Sequence, residues 1–328
     1  MNPDFLKEFP KNDEDLKILD DLILNILNDN NEETDDNFRG FNFNNFSSLF
    51  HYTSPAGLLG IISNNSIWFT HYKFLNDKSE KSYCFDLFRQ CIENEKHNLK
   101  KSFYNILVNQ LIVDRNLNYE IFHKEAEYNN DYYIASFSLN GNSLSMWNYY
   151  TKTNDKTGYN IKFNGQALVE SFKNKSFKHY KVNYNKEKQV KAIMYYIITF
   201  NNIWDENKSE LFLQWTLYIL LDLIEILSLM FKHPAFANEE EYRIVYQFDK
   251  NSKEVVVTEN LLKFRLSSGV ISPYLDIRFN KHCIKGIMIS PTQQDEIVPI
   301  GLLMLLKTHG YNNLEKTDIT LSDIPLRF

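Results

Sequence analysis

Two consecutive helical stretches sit inside a chain whose other apolar segments are short and strand-like. Residues 186–203 and 208–232 outrun any ordinary strand. The second carries Trp215, Ile219, Asp222, Leu223, Ile226 and Met230 near helical spacing, with apolar residues on its other faces too. Strand-like segments precede them at 49–53, 67–70, 132–138 and 159–163. More follow at 242–248, 254–257, 270–279, 284–289 and 319–321. That order predicts an α+β fold with an inserted helical layer around 186–232. Pro273 makes the segment at 270–279 an edge strand or a broken one.

Shorter helices are marked by their ends. Ser54-Pro55 reads as an N-cap followed by proline at the first helical position. Asn76 or Asp77 can cap a helix running past Phe85 and Phe88, and Gly310 is placed to stop a helix over 299–309. Further helices are predicted at 101–112 and 144–150. Residues 13–28 carry Leu16, Leu19, Leu22, Ile23, Ile26 and Leu27 at helical spacing, and 28–45 is Asn/Asp/Glu-rich without a period. The expected organisation is therefore an acidic helix and flexible connection over 1–45, then a single domain over 46–328.

Composition narrows the function classes. A net charge of −6 disfavours broad, non-specific duplex binding, which needs a basic face. The run 173–191 carries seven lysines and reads as a solvated face. Cys84, Cys91 and Cys283 are too few for a disulfide framework or a four-cysteine metal site. Cys84 and Cys91 lie a heptad apart on a predicted helix and belong in a core; free thiols fit a reducing cytosol. The most apolar stretch, 211–231, contains Gln214, Asp222 and Glu225, which a lipid-spanning helix tolerates poorly. No signal pattern opens the chain, so a cytoplasmic location without membrane attachment is expected. The scattered histidines form no metal-binding pattern, and no serine lies in a nucleophile-elbow glycine pattern.

The candidate chemistry lies in short polar motifs at the ends of elements. In His51-Tyr52-Thr53, His51 and Thr53 share one face of a strand and Tyr52 takes the other. A neutral imidazole can donate one hydrogen bond and accept another, which suits a ribose hydroxyl; a strand-end histidine bound to backbone is the bland alternative. Asn76-Asp77 with Glu80 reads first as a helix start. Ser136-Phe137-Ser138 puts Phe137 toward a core and both hydroxyls toward a cleft, and Met146-Trp147 with Tyr150 reads as core. In Glu239-Glu240-Glu241-Tyr242-Arg243, a strand that begins early enough aligns Glu239, Glu241 and Arg243 on one face. Two carboxylates there could divide a catalytic task, or Arg243 could simply pair with Glu241.

Taken in order, these motifs resemble the bacterial domain-of-unknown-function family 2971. They are joined by Ile61-Ile62, Gly158, the run 284–291 and Ile324-Pro325-Leu326-Arg327, so the likeness extends over 49–327. That family is similar to the ADP-ribosyltransferase fold. The resemblance implies a split β-sheet core clasping NAD as substrate, with no metal. On that basis Glu241, Glu239 and His51 are expected to be catalytic. His51, Tyr52, Thr53, Ser136, Ser138, Trp147 and Arg243 are expected to bind the cofactor. The implied activity is transfer of ADP-ribose to a protein or nucleic-acid acceptor, as in a toxin or anti-phage effector. A non-catalytic nucleotide-sensing or protein-interaction module stands beside it. A third option is RNA 2′-phosphotransfer, with Arg243, Arg265 or Lys181 at the pocket. The N-terminal helix is the expected dock for a second copy or an antitoxin-like partner.

Overall fold

The computed structural model describes residues 48–75, 80–111, 130–150, 157–172, 177–249, 261–267, 269–293 and 295–325. The acidic helix and connection expected over 1–45, the Asn76-Asp77 cap, the strand expected at 254–257 and Arg327 lie outside them. In chain order, β1 (Ser48–Thr53) leads into α1 (Pro55–Asn64) and β2 (Ser66–His71). Helices α2 (Glu80–Glu95) and α3 (Lys101–Leu111) precede β3 (Asn130–Ser138), α4 (Leu144–Tyr150), β4 (Tyr159–Asn164), α5 (Gly165–Ser171) and β5 (Phe177–Lys181). The long pair α6 (Lys186–Ile203) and α7 (Glu210–Ser228) follows. Then come β6 (Glu241–Asp249), β7 (Leu262–Ser267), β8 (Val270–Arg278), β9 (Ile284–Ile289), α8 (Ile297–Thr308) and β10 (Ile319–Leu321).

The fold is α+β, and the described residues fall into two compact units. One is helical and combines α2 and α3 with α6 and α7, so the helical layer expected at 186–232 shares its unit with an earlier excursion of the chain. Side-chain oxygens of Asn185 and Ser209 accept from the first-turn amides of Lys188 and Phe212, which starts α6 and α7 where the sequence predicts. Phe88 from α2, Ile193, Ile197 and Phe200 from α6, and Phe212, Ile219 and Ile224 from α7 are fully buried. Cys84 and Cys91 join them, as their heptad spacing predicts. Among the described residues no helix is long and apolar enough to cross a membrane.

The other unit holds all ten strands found among the described residues. The sheet runs β10-β9-β4-β1-β3-β2-β8-β7, with β6 on the second edge of β3 and β5 outside β6. Every pairing is antiparallel except β9 with β10. Alternation along the strands separates two faces. Leu49, Phe69, Tyr133, Ala135, Phe137, Ile161, Phe163, Tyr242, Ile244, Leu275 and Ile287 form one core with Ile62 of α1 and Leu306 of α8. Withdrawing each such Leu, Ile or Phe side chain from water contributes roughly 1.5–3 kcal/mol. Opposite this core, β3 and β6 place Ser138 beside Glu241 and Ser136 beside Arg243. The strand that Pro273 was expected to make an edge or break is neither: β8 runs unbroken between β2 and β7, with Pro273 just past the last β2–β8 pair, Thr70–Tyr274.

Candidate functional site

The sheet changes partner in the middle of β3. Along one edge β6 pairs with all of β3. Along the other, β1 pairs at Ser138 alone and β2 pairs at Ile134 and Tyr133. Between those points a side chain replaces the strand neighbour: His51 Nδ1 lies 3.0 Å from the Ser136 carbonyl. A carbonyl only accepts, so Nδ1 carries the proton and Nε2 keeps a lone pair. Burial drives the imidazole below its ordinary value, opposed by the Ser136 hydrogen bond and assisted by the charge of Arg265. His51 is therefore neutral at pH 7. Its surface is only partly covered, and Nε2 makes no hydrogen bond to any described residue. Ser136 is likewise half-buried.

Register limits what else meets His51. Phe50 pairs with Ser138, and Ser138 pairs with Glu241, so these three share a face. His51 alternates to the core side and packs its ring 5.5 Å from that of Phe137. The imidazole thus reaches the serine strand through the Ser136 backbone, and does not face the hydroxyls and Glu241 across a common hollow. This corrects the expectation that imidazole, hydroxyls and acidic strand point into one space.

Glu241 and Arg243 form a buried bidentate pair. Arg243 Nε donates to Glu241 Oε1 at 2.8 Å and a terminal nitrogen donates to Oε2 at 2.9 Å. Glu241 is 6% exposed and Arg243 1%. Both carboxylate oxygens are engaged by the Nε–Nη2 edge of the guanidinium, so Glu241 and Arg243 form a buried ion pair, the second of the two readings the sequence left open. Glu239 does not share their face. The chain makes a 3₁₀ turn over Pro234–Glu239, Glu240 takes a left-handed backbone with φ +44°, and the strand starts only at Glu241. Glu239 stays half-buried, and its backbone carbonyl accepts from the Ser138 hydroxyl at 2.8 Å.

Four other expected cofactor residues are part of the framework. Tyr52 is 2% exposed; its hydroxyl donates to the Asn140 carbonyl and accepts from the Ser143 amide, both at 2.9 Å. Burial pushes that phenol up to about 12. Trp147 has no exposed surface, stands edge-on to Tyr52 at 4.9 Å, and donates its indole N–H to Asn142. Neither ring offers a face to a ligand. Ser138 is fully buried and also accepts from the Asn140 amide, so it ties the strand end to the turn. Thr53 is buried against Gly57 at the start of α1.

Sequence reasoning gave no strand context to a third cluster. Arg265 on β7 lies directly opposite Ser272 on β8, and β2 contributes Trp68 and Thr70 on the same face. The guanidinium carbon sits 5.1 Å above the Trp68 ring and 6.0 Å from that of Tyr274. A terminal nitrogen donates to the Thr70 hydroxyl at 3.0 Å, while Nε is buried without a partner. Tyr150, stacked on Tyr52 at 6.2 Å, lies within electrostatic reach of Arg265. The charged and apolar residues of β7 simply alternate, and only the strand pairing shows which of them cluster.

No group of three or more metal-ligating side chains forms among the described residues. A family described as protein of unknown function (DUF2971) matches residues 146–244. That span runs from Met146 on α4 to Ile244 on β6, narrower than the 49–327 over which the motifs resemble the family, and it includes Trp147, Glu239, Glu241 and Arg243. No curated protein and no solved structure matches the chain.

Proposed function

We propose that this chain, whose residues 146–244 match the DUF2971 family, is a nucleotide-binding protein that takes NAD or a related dinucleotide at the β1–β3 changeover. The observation that carries this reading is His51. A neutral imidazole, oriented by the Ser136 carbonyl, keeps its acceptor nitrogen without a hydrogen bond to any described residue. A ribose hydroxyl is the chemistry that such a lone pair receives. The relationship to the ADP-ribosyltransferase fold is part of the proposal and rests on the order of the polar motifs.

Binding without turnover is the form the geometry favours. Glu241, the carboxylate beside Ser138 on the β3–β6 polar face, is buried and bidentately neutralised by Arg243. Transfer of ADP-ribose to a macromolecular acceptor is the second reading. It is favoured by the strand order β1–β3–β6, which sets His51 and Glu241 on either side of one strand.

Titrating the full chain with NAD, and assaying free nicotinamide, separates the readings. The expected result is saturable binding without nicotinamide release, weakened tenfold or more in His51→Ala at an unchanged melting temperature. No binding by the wild type at millimolar NAD refutes the proposal. Nicotinamide release that vanishes in a normally folded Glu241→Gln variant selects the transferase.

A further inference from the structure

Among the described residues Arg265 is a cation without a counter-ion. It is half-buried, lies within ion-pair distance of no described carboxylate, and donates one hydrogen bond, to a neutral threonine. Its neighbour on the same strand face, Lys263, already occupies Asp276. Nε is buried and unsatisfied, and so is the hydroxyl of Ser272, the residue directly opposite. Covering a charged group while leaving donors unpaired is costly, and such groups are rare unless a ligand or water completes them.

The surroundings define what would complete it. Trp68 and Tyr274 form a cross-strand pair, ring centroids 4.6 Å apart, beneath the guanidinium. Stacking on aromatic faces fixes the plane of an arginine and presents its N–H edge outward. A fixed guanidinium edge matches the oxygens of a phosphate, which accept two parallel hydrogen bonds. Thr70 holds one terminal nitrogen in place, and Trp68 remains 38% exposed, so the platform is open to solvent.

We propose that Arg265, laid on Trp68 and Tyr274 and steadied by Thr70, is the phosphate anchor of the site, so that its ligand is a phosphorylated nucleoside and not a free nucleoside or base. This deepens the nucleotide reading and rests on it for the nucleoside portion; the anion site itself stands on the Arg265 cluster alone.

Calorimetric titration of the full chain with inorganic pyrophosphate, ADP-ribose and adenosine tests this. ADP-ribose is expected to bind at least tenfold more tightly than adenosine, and pyrophosphate is expected to compete with it. Arg265→Gln should bring ADP-ribose down to the adenosine level, and Arg265→Lys should recover part of the loss. Equal ADP-ribose affinity in wild type and Arg265→Gln overturns the anchor. If Arg265→Gln does not fold, Trp68 fluorescence decides, read as wild type minus Trp68→Phe: a pyrophosphate-dependent change supports the anchor and its absence overturns it. Pyrophosphate binding lost in Arg265→Gln, with no binding of ADP-ribose or NAD, upholds the anion site and removes the dinucleotide reading. Dinucleotide binding indifferent to Arg265 does the reverse.

Discussion

Neutralising Glu241 is expected to unfold the sheet unit more readily before it changes any chemistry. Glu241 and Arg243 are 6% and 1% exposed, and two hydrogen bonds of 2.8 and 2.9 Å join them. In Glu241→Gln one carboxylate oxygen becomes an NH₂ group, a donor facing a donor, and the buried guanidinium loses its counter-charge. Breaking a buried pair by removing one partner costs about 3–5 kcal/mol. For a domain of 150–250 residues each kcal/mol lowers the melting temperature by roughly 2–4 °C, so the variant should melt roughly 10 °C below wild type. Arg243→Met should lose a similar amount, because it strands the carboxylate. The double variant Glu241→Leu/Arg243→Met removes both charges of the pair, and its loss should fall short of the summed single losses by about 3 kcal/mol. Thermal and urea unfolding of the four proteins measures the cycle. A Glu241→Gln protein that melts with wild type, and single losses that add in the double variant, would refute the structural role and return Glu241 to the catalytic candidates.

Two further outcomes follow from named contacts. Burial holds the His51 and His179 imidazoles below their ordinary value of 6.5 in the fold. Below that pH the unfolded chain takes up protons that the folded chain does not, so stability is lost as pH falls from about 6.5. His51→Gln should flatten that acid limb in urea unfolding series run between pH 7 and 5; an unchanged slope argues that His51 titrates normally. Gly286→Ala would put a Cβ 2.7 Å from the Asp318 backbone carbonyl, which cannot swing aside. It should cost about 1–3 kcal/mol by overpacking, read as a lower urea midpoint, and a neutral result would mean that the turn before β10 yields freely.

Local patterns were readable where physics is local. Long 3.6-residue periodicity fixed α6 and α7, and Ser54 caps α1 by accepting from the Gly57 amide at 3.1 Å, as Ser-Pro announces. The alternation in Ser136-Phe137-Ser138 correctly sent Phe137 to the core. Strand order and register depend on contacts distant in sequence, so the partner change on β3 and the opposite facing of His51 and Glu241 were not readable. The backbone at Glu240 defeated the carboxylate pairing, because nothing in a run of three glutamates signals a left-handed residue. β7 escaped notice because its apolar residues Phe264 and Leu266 are exposed, at 62% and 78%, so its alternation separates no buried face. Arg265 went with it as a strand residue.

The most direct measurement is a crystal structure of the full chain soaked with ADP-ribose. A ribose hydroxyl within hydrogen-bonding distance of His51 Nε2, on the side away from Ser136, is the expected result. A His51 imidazole still without a ligand contact, with ADP-ribose bound elsewhere or absent at saturating concentration, would contradict it.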